Sequence, residues 1–225
     1  MNAPAKPTVR KKAVIFDFDG LVVDTETPAF QAWSNIYREH GAELELALFV
    51  RCVGASYAKW DPVEHLSTLI GRPLDRDALI ADKERRKLAA CNAAPALPGV
   101  LDRLAEARAL GLKVAVASSS SASWVLHHLG RLDLRSKVDT VTTRDDVTRV
   151  KPFPDIYLHA AASLGVAPAE CIAFEDSSNG ITAAVAAGIG ACYAIPNDVT
   201  ASLDFSHATG VHPSLAVVRL EALIS

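Results

Sequence analysis

Two aspartates, one residue apart, follow a short apolar run near the start of the sequence. Asp17 and Asp19 stand in "VIFDFDGLVVDTET", residues 14–27. A strand with one buried face would point both carboxylates to the same side and remove at least one of them from water. Buried carboxylates are costly unless something pairs with them. The pair therefore indicates a site that supplies a compensating partner.

Polar side chains also follow three later apolar runs. The serines at 118–121 follow "VAVA", Lys151 lies in "RVKPFPD" after "DTVTT", and Glu175 and Asp176 follow "CIAF". Taken singly, each feature has an ordinary interpretation as a helix cap or a loop residue. Because all of them fall at predicted strand ends, their combination favours one shared site.

The chemistry of such a site is coherent. Clustered carboxylates repel one another unless a cation neutralises them, and an oxygen-only ligand set suits Mg²⁺, which a substrate phosphate typically completes. Serine hydroxyls and backbone N–H groups bind phosphate oxygens, and a lysine adds a second positive charge. One carboxylate can then attack phosphorus, while its neighbour two residues on protonates the leaving oxygen and later activates water.

The elements that would position these residues alternate between strands and helices. In a chain of 225 residues, 50% of them hydrophobic, "KAVIF" predicts a buried first strand. "KVAVAS", "VDTVTT", "CIAFED" and "ACYAI" predict later strands separated by helices, and "SLAVVRLEALI" predicts a closing helix. This alternation is typical of an α/β fold with a Rossmann-like, doubly wound parallel sheet. Ligands bind such sheets beyond the carboxyl ends of the strands.

Only helical patterns occur between the first predicted strand and the rest. We therefore predict an inserted α-helical cap domain at residues 21–94 above the strand ends, and a catalytic core formed by 1–20 and 95–225. Because the core would read only the phosphate, cap residues near the site would choose the substrate. Gly54, Tyr57 and Lys59 are the candidates.

Composition excludes several classes of protein. A formal net charge of -3 argues against a nucleic-acid binder, and no apolar stretch reaches the length of a signal peptide or a membrane span. The four cysteines form no C-x-x-C pair, which argues against zinc and suits a reducing compartment. We predict a monomeric cytoplasmic protein whose partner is a small phosphorylated metabolite, with no nucleic-acid or membrane partner.

The polar segments resemble the motifs of a known family. "DFDGLVVDTE", the serine run, "VKPFPDIY" and "FEDSSNGI" resemble, in order, the four motifs of the haloacid dehalogenase superfamily. The helical insert resembles the subgroup with a small α-helical cap, which includes beta-phosphoglucomutase and sugar-phosphate phosphatases. The resemblance implies a phosphoric monoester hydrolase that works through an aspartyl-phosphate and uses Mg²⁺.

The resemblance also implies roles for individual residues. Asp17 would be the nucleophile and a metal ligand. Asp19 would be the general acid and base and would give the metal its backbone carbonyl. Lys151 would neutralise the nucleophile and the transferring group. Ser118 and Ser119 would bind the phosphate.

Three more positions follow from the same motifs. Asp176 would bind the metal, and Glu175 would be a direct or water-mediated ligand. Gly20 would belong to the phosphate-binding residues and would let the chain turn sharply below the phosphate.

A beta-phosphoglucomutase-like phosphosugar mutase is the alternative. The residues that this enzyme uses in the cap and at the distal phosphate are replaced here by Ala29, Tyr57 and Ser121. These departures favour water as the acceptor and therefore a phosphatase. An acid at position 19 also favours phosphoryl transfer over dehalogenation, because a halide leaving group needs no proton.

Overall fold

A computed structural model describes residues 9–53 and 60–224 and contains a six-stranded sheet. The strands are β1 (Ala13–Phe16), β2 (Lys113–Ala117), β3 (Thr140–Thr142), β4 (Cys171–Glu175), β5 (Ala191–Ala194) and β6 (Gly210–Val211). Their order is β3-β2-β1-β4-β5-β6, and every neighbouring pair is parallel. The predicted fold class is confirmed, and β1 lies in the interior of the sheet between β2 and β4.

Four helices lie within residues 21–94 of the described chain. They are α1 (Glu26–Glu39), α2 (Leu46–Phe49), α3 (Pro62–Ile70) and α4 (Arg76–Ala93). Apolar side chains of α1, α2 and α3 form a cluster of their own, which includes Trp33, Phe49 and Leu66. A separate cluster agrees with an inserted helical unit, whose boundaries at 21 and 94 stay a prediction.

Four further helices cover the two faces of the sheet. They are α5 (Val100–Ala109), α6 (Ala122–Arg131), α7 (Asp155–Leu164) and α8 (Ser178–Ala186). Val14 and Phe16 of β1 pack in one apolar cluster with residues of α5 and α6. Ala13 and Ile15 pack in another with residues of α7 and α8. Because side chains alternate along a strand, a sheet buried on both faces needs apolar residues at every position of β1.

The predicted closing helix is wrong. "SLAVVRLEALI" forms two short 3₁₀ turns, Leu215–Val217 and Leu220–Ala222, and Val218 between them is extended. Leu215, Val218 and Leu220 are buried against the sheet core. The turns therefore bury the same apolar residues whose spacing suggested a helix. Two adjacent valines, which lose side-chain freedom in a helix, favour this outcome. The short strand β6 was not predicted.

Within the described ranges, no helix is both long enough and apolar enough to cross a bilayer.

The C-terminal turns pack tightly on the start of α5, which makes a stability prediction. Gly99 has a φ of +87°, and a Cβ there would lie 2.2 Å from the backbone nitrogen of Ala216. We expect Gly99→Ala to lower the free energy of unfolding by about 2–4 kcal/mol, through left-handed strain and overpacking. Gly111→Ala is the matched control, because its φ is +70° but its Cβ would meet open space. Urea denaturation that gave equal losses for both variants would contradict the packing argument.

Candidate active site

The carboxyl ends of three neighbouring strands bring the predicted site residues together. Asp17 follows β1, Ser118 follows β2, and Glu175 ends β4. The backbone N–H of Asp17 donates to Phe174 O at 2.9 Å, and that of Ser118 donates to Thr142 O at 2.9 Å. These bonds extend the ladder past the strand ends, so the first polar side chains start from a rigid edge.

Lys151 lies at the centre of this edge and is buried. Its ammonium donates to Asp17 Oδ1, to Glu175 Oε1 at 2.6 Å and to the carbonyl oxygen of Ala117 at 2.9 Å. An ammonium has three N–H donors, and here all three have protein acceptors. Burial lowers the pKa of Lys151, but Asp17 and Glu175 outweigh burial and raise it above its ordinary value. The lysine therefore stays charged.

A cluster of three buried carboxylates surrounds the lysine. Oxygens of Asp17, Glu175 and Asp176 all lie within 4.8 Å of one another. Burial, and then the neighbouring carboxylates, raise the pKa of Asp17 and of Asp176 well above their ordinary values. One ammonium cannot balance three carboxylates, and their oxygens are the ligands that hard divalent cations prefer. The donor set therefore fits a divalent metal ion.

Glu175 has protein donors on both of its oxygens. Oε1 accepts from Tyr157 Oη at 2.5 Å as well as from Lys151, and Oε2 accepts from Ser177 Oγ at 3.2 Å. These bonds turn the carboxylate toward Lys151 and α7. In this arrangement Glu175 contributes to the cluster mainly by its charge and by holding the lysine, and its predicted part in metal binding stays a prediction.

Asp176 is held by a residue that the sequence did not single out. Asn197 Nδ2 donates to Asp176 Oδ2 at 2.8 Å and to the carbonyl oxygen of Gly20 at 3.2 Å. Its own Oδ1 accepts from two backbone N–H groups at 3.0 Å each, those of Val199 and Thr200. Asn197 therefore occupies one oxygen of Asp176 and leaves Oδ1 for a metal.

Gly20 allows the loop between β1 and α1 to approach Asp176 closely. Its φ is +77°, and a Cβ there would lie 2.1 Å from Asp176 Oδ2. Its N–H donates to Val23 O at 2.8 Å, so this N–H is used within the loop. The predicted sharp turn is present, and the predicted phosphate contact of Gly20 stays a prediction.

Asp19 is surrounded by neutral hydrogen-bond donors. Ser118 Oγ and Ser120 Oγ donate to its Oδ2 at 3.0 and 2.7 Å, and Trp124 Nε1 donates to its Oδ1 at 2.9 Å. Ser118, a predicted phosphate ligand, is thus fully buried and bonded to Asp19. Ser119 faces the neighbouring cavity, and its hydroxyl has no hydrogen-bond partner among residues 9–53 and 60–224. Of the predicted pair, Ser119 therefore has the free hydroxyl.

A cavity of about 520 Å³ lies between the strand ends and the helices of the insert. The core side of its wall includes Asp17, Asp19, Ser119, Ser120, Arg144, Lys151 and Asp176. The insert side includes Glu26, Ala29, Phe49, Cys52, Lys83, Glu84 and Lys87. The predicted specificity residues Gly54, Tyr57 and Lys59 lie outside the described residues.

The charged residues on the insert side were missed by the sequence analysis. Glu26 lies in the first turn of α1, and Lys83 and Lys87 are one helical turn apart on α4. Lys83 Nζ pairs with Glu84 Oε1 at 2.9 Å. Burial raises the pKa of Glu26, and the charges of Asp19 and Glu26 raise the pKa of Lys87 against the opposing effect of burial. The i, i+4 spacing of the two lysines was the available signal.

Comparisons with known proteins agree with this geometry. A model of the haloacid dehalogenase-like hydrolases matches residues 11–188. YhcW of Bacillus subtilis, which carries a provisional phosphatase name, is 42% identical over 213 residues, covering 95% of this chain and 96% of the relative. A protein of Thermotoga maritima named phosphorylated carbohydrates phosphatase is 31% identical over 214 residues, covering 95% of this chain and 97% of the relative.

A solved structure is also similar. It is a haloacid dehalogenase family hydrolase of Deinococcus radiodurans with bound phosphate and sodium. The TM-score is 0.79 and the sequences are 27% identical, with 95% of this chain and 96% of that chain covered.

The carboxylate cluster makes a prediction about metal binding. We expect the melting temperature to rise when Mg²⁺ replaces a chelator, because a bound cation relieves the repulsion between buried carboxylates. At a metal concentration 100 times Kd the stabilisation would be about 2.7 kcal/mol. Asp176→Asn should remove most of the shift and should raise the melting temperature in chelator, since it deletes one repelling charge. Scanning calorimetry measures both.

Asp102→Asn is the control, because Asp102 is exposed on α5. It should keep the full magnesium shift. An equal shift in the Asp176→Asn variant would contradict the assignment of the cluster as the metal site.

Proposed function

The chain belongs to the haloacid dehalogenase-like hydrolases, and we propose that within this family it is a magnesium-dependent phosphatase. Its substrate is a small phosphorylated metabolite, such as a sugar phosphate, and the reaction proceeds through an aspartyl-phosphate on Asp17. The class of phosphoric monoester hydrolase is confirmed by the family and by relatives with phosphatase names. The finer statements are supported by the site.

One observation carries the proposal: two carboxylates that face the same cavity have opposite surroundings. Asp17 contacts the charged Lys151 and lies beside Asp176. Asp19 is bonded only to hydroxyl and indole donors in the described structure. The ammonium of Lys151, together with the metal ion that the carboxylate cluster would hold, would offset the repulsion from the neighbouring carboxylates and keep Asp17 ionised as a nucleophile. Neutral donors, as around Asp19, suit an acid that exchanges a proton.

The first half-reaction forms a bond between Asp17 and phosphorus. A carboxylate oxygen of Asp17 attacks the phosphorus, the bond from phosphorus to the ester oxygen breaks, and its electron pair goes to that oxygen. Asp19 gives its proton to the same oxygen, so the alcohol leaves neutral. Lys151 lies against Asp17 Oδ1 and offsets the negative charge that the attack brings together.

The second half-reaction returns the enzyme to its starting state. A water oxygen attacks the phosphorus of the aspartyl-phosphate, and Asp19 takes a proton from that water. The bond between phosphorus and the Asp17 oxygen breaks, which releases inorganic phosphate and the free carboxylate. The Ser119 hydroxyl, which has no partner in the described part of the chain, is available to hold a phosphate oxygen in both steps.

The magnesium ion would be held by Asp17, by Asp176 and by the backbone carbonyl of Asp19, with Glu175 adding negative charge nearby. When bound, it would offset the charge of the phosphate and so allow a carboxylate to approach it.

The shape and lining of the cavity favour a small polar leaving group. A volume of about 520 Å³ falls within the range of metabolite sites. Glu26 can accept hydrogen bonds and Lys83 and Lys87 can donate them, a combination that suits hydroxyl groups. The Thermotoga maritima relative is named for phosphorylated carbohydrates, which supports the same substrate class.

The four cysteines are free, which suits the reducing conditions of the proposed cytoplasmic location. The monomeric state stays a prediction.

Activity of Asp17→Asn tests the proposed nucleophile. Wild type should release phosphate from a few related compounds in a panel of sugar phosphates and nucleotides, only when Mg²⁺ is present. Asp17→Asn should lower the rate by more than about 10³-fold. Its melting temperature in chelator should not fall, because the variant removes one of three crowded negative charges. Activity of Asp17→Asn above a contamination control would refute the assignment, and Asp102→Asn should stay within about twofold of wild type.

The mutase is a second candidate because three cations other than Lys151 line the cavity. Lys83, Lys87 and Arg144 could hold the distal phosphate of a bisphosphate. Against this, Ser121 caps α6 through a 3.4 Å bond from Trp124 N, and Ala29 presents only a methyl group. We expect no isomerisation of a hexose 1-phosphate in the presence of a trace hexose bisphosphate. Isomerisation that requires the bisphosphate, followed by NMR, would establish the mutase instead.

A further inference from the structure

Trp124 contacts the proposed general acid directly, although it is not one of the residues around the cavity. Its Nε1 donates to Asp19 Oδ1 at 2.9 Å. We propose that Trp124 is a positioning residue for Asp19, whose indole N–H fixes the carboxyl group in the orientation that protonates the leaving oxygen. The inference rests on the proposed phosphatase function and assigns a residue to it that no motif includes.

The three donors to Asp19 are not equivalent. Among the described residues, two serine hydroxyls bond to Oδ2, whereas the indole alone bonds to Oδ1. A hydroxyl rotates and can either donate or accept, but an indole nitrogen only donates. Trp124 therefore keeps Oδ1 as an acceptor. Oδ2, beside Ser120 in the cavity wall, is left as the oxygen that gives and takes the proton.

The indole is itself held in place by two contacts. Lys87 of α4 lies over the ring, with Nζ 4.7 Å from the centroid. His128, one turn further along α6, packs edge-on with ring centroids 4.3 Å apart and an interplanar angle of 72°. His128 is fully buried and accepts a 2.8 Å bond at Nδ1 from Arg131 Nε. Trp124 thus connects Asp19 to the buried ring of His128 and to a helix of the insert.

Trp124→Phe separates positioning from packing. Phenylalanine keeps an aromatic ring against Lys87 and His128 but has no N–H for Asp19. If Trp124 only packed, the loss would be the same for all substrates. If it orients the acid, the loss should depend on how much the leaving group needs a proton.

The experiment compares two phosphate esters on each variant in the presence of Mg²⁺. p-Nitrophenyl phosphate has a leaving group that departs as a stable anion, whereas a sugar phosphate from the panel leaves as an alkoxide and requires protonation. We expect Trp124→Phe to lower kcat/KM for the sugar phosphate about tenfold, the order expected for loss of one hydrogen bond to a charged group. This constant covers only the steps up to departure of the leaving group, so hydrolysis of the aspartyl-phosphate, in which Asp19 also acts, does not enter it. For p-nitrophenyl phosphate the change should be less than about twofold.

The ratio of the kcat/KM values for the two esters is insensitive to partial loss of folded enzyme, because inactive molecules lower both values equally. Trp33→Phe, in the apolar cluster of the insert, is the control and should leave this ratio unchanged even if it lowers the melting temperature. An unchanged ratio in Trp124→Phe would overturn the inference. Should that variant not fold, Trp124→His, which restores a ring N–H, takes its place, and a ratio equal to that of Trp124→Leu would overturn the inference.

The same measurements distinguish failure of the proposed function from failure of the positioning role. Wild type that released phosphate from neither ester would refute the phosphatase itself. Wild type active on both esters, with a Trp124→Phe variant of unchanged ratio, would refute only the positioning role.

Discussion

A buried ammonium ion among carboxylates holds this molecule together at its functional edge. Lys151 donates to Asp17, Glu175 and the carbonyl of Ala117, and these acceptors stand at the ends of β1, β4 and β2. Since an unpaired buried charge costs several kcal/mol, the lysine and the strand ends must stay in contact. The interaction that fixes the edge of the sheet is therefore the same one that prepares the site.

The remaining negative charge gives the edge its chemical character. Three buried carboxylates against one lysine leave a deficit of positive charge that a divalent cation would balance. The loop at Gly20 and the side chain of Asn197 direct Asp176 toward that deficit. The repulsion within the cluster is thus a cost to the fold without metal and a driving force for binding it.

Asp17 and Asp19 show how two identical side chains come to differ. They are two residues apart, yet Asp17 faces the charged lysine and a second carboxylate, while Asp19 receives hydrogen bonds from the β2 loop and from α6. The distinction comes entirely from neighbours that are more than 90 residues away in sequence. The same loop places Ser119 so that none of the described residues bonds to its hydroxyl.

The sequence by itself determined the sheet, its helices and the order of the polar strand ends, because apolar runs and their periodicity report burial directly. It also determined which acids, serines and lysine would meet, since parallel strands bring their carboxyl ends to one edge. It misjudged the segment after Ser214, where buried turns reproduce the spacing of a helix. Only the tertiary structure decided that Asn197, Trp124, Lys83 and Lys87 join the site. Their side chains reach it from a loop and from helices of ordinary composition, and such contacts depend on how elements pack rather than on any local pattern.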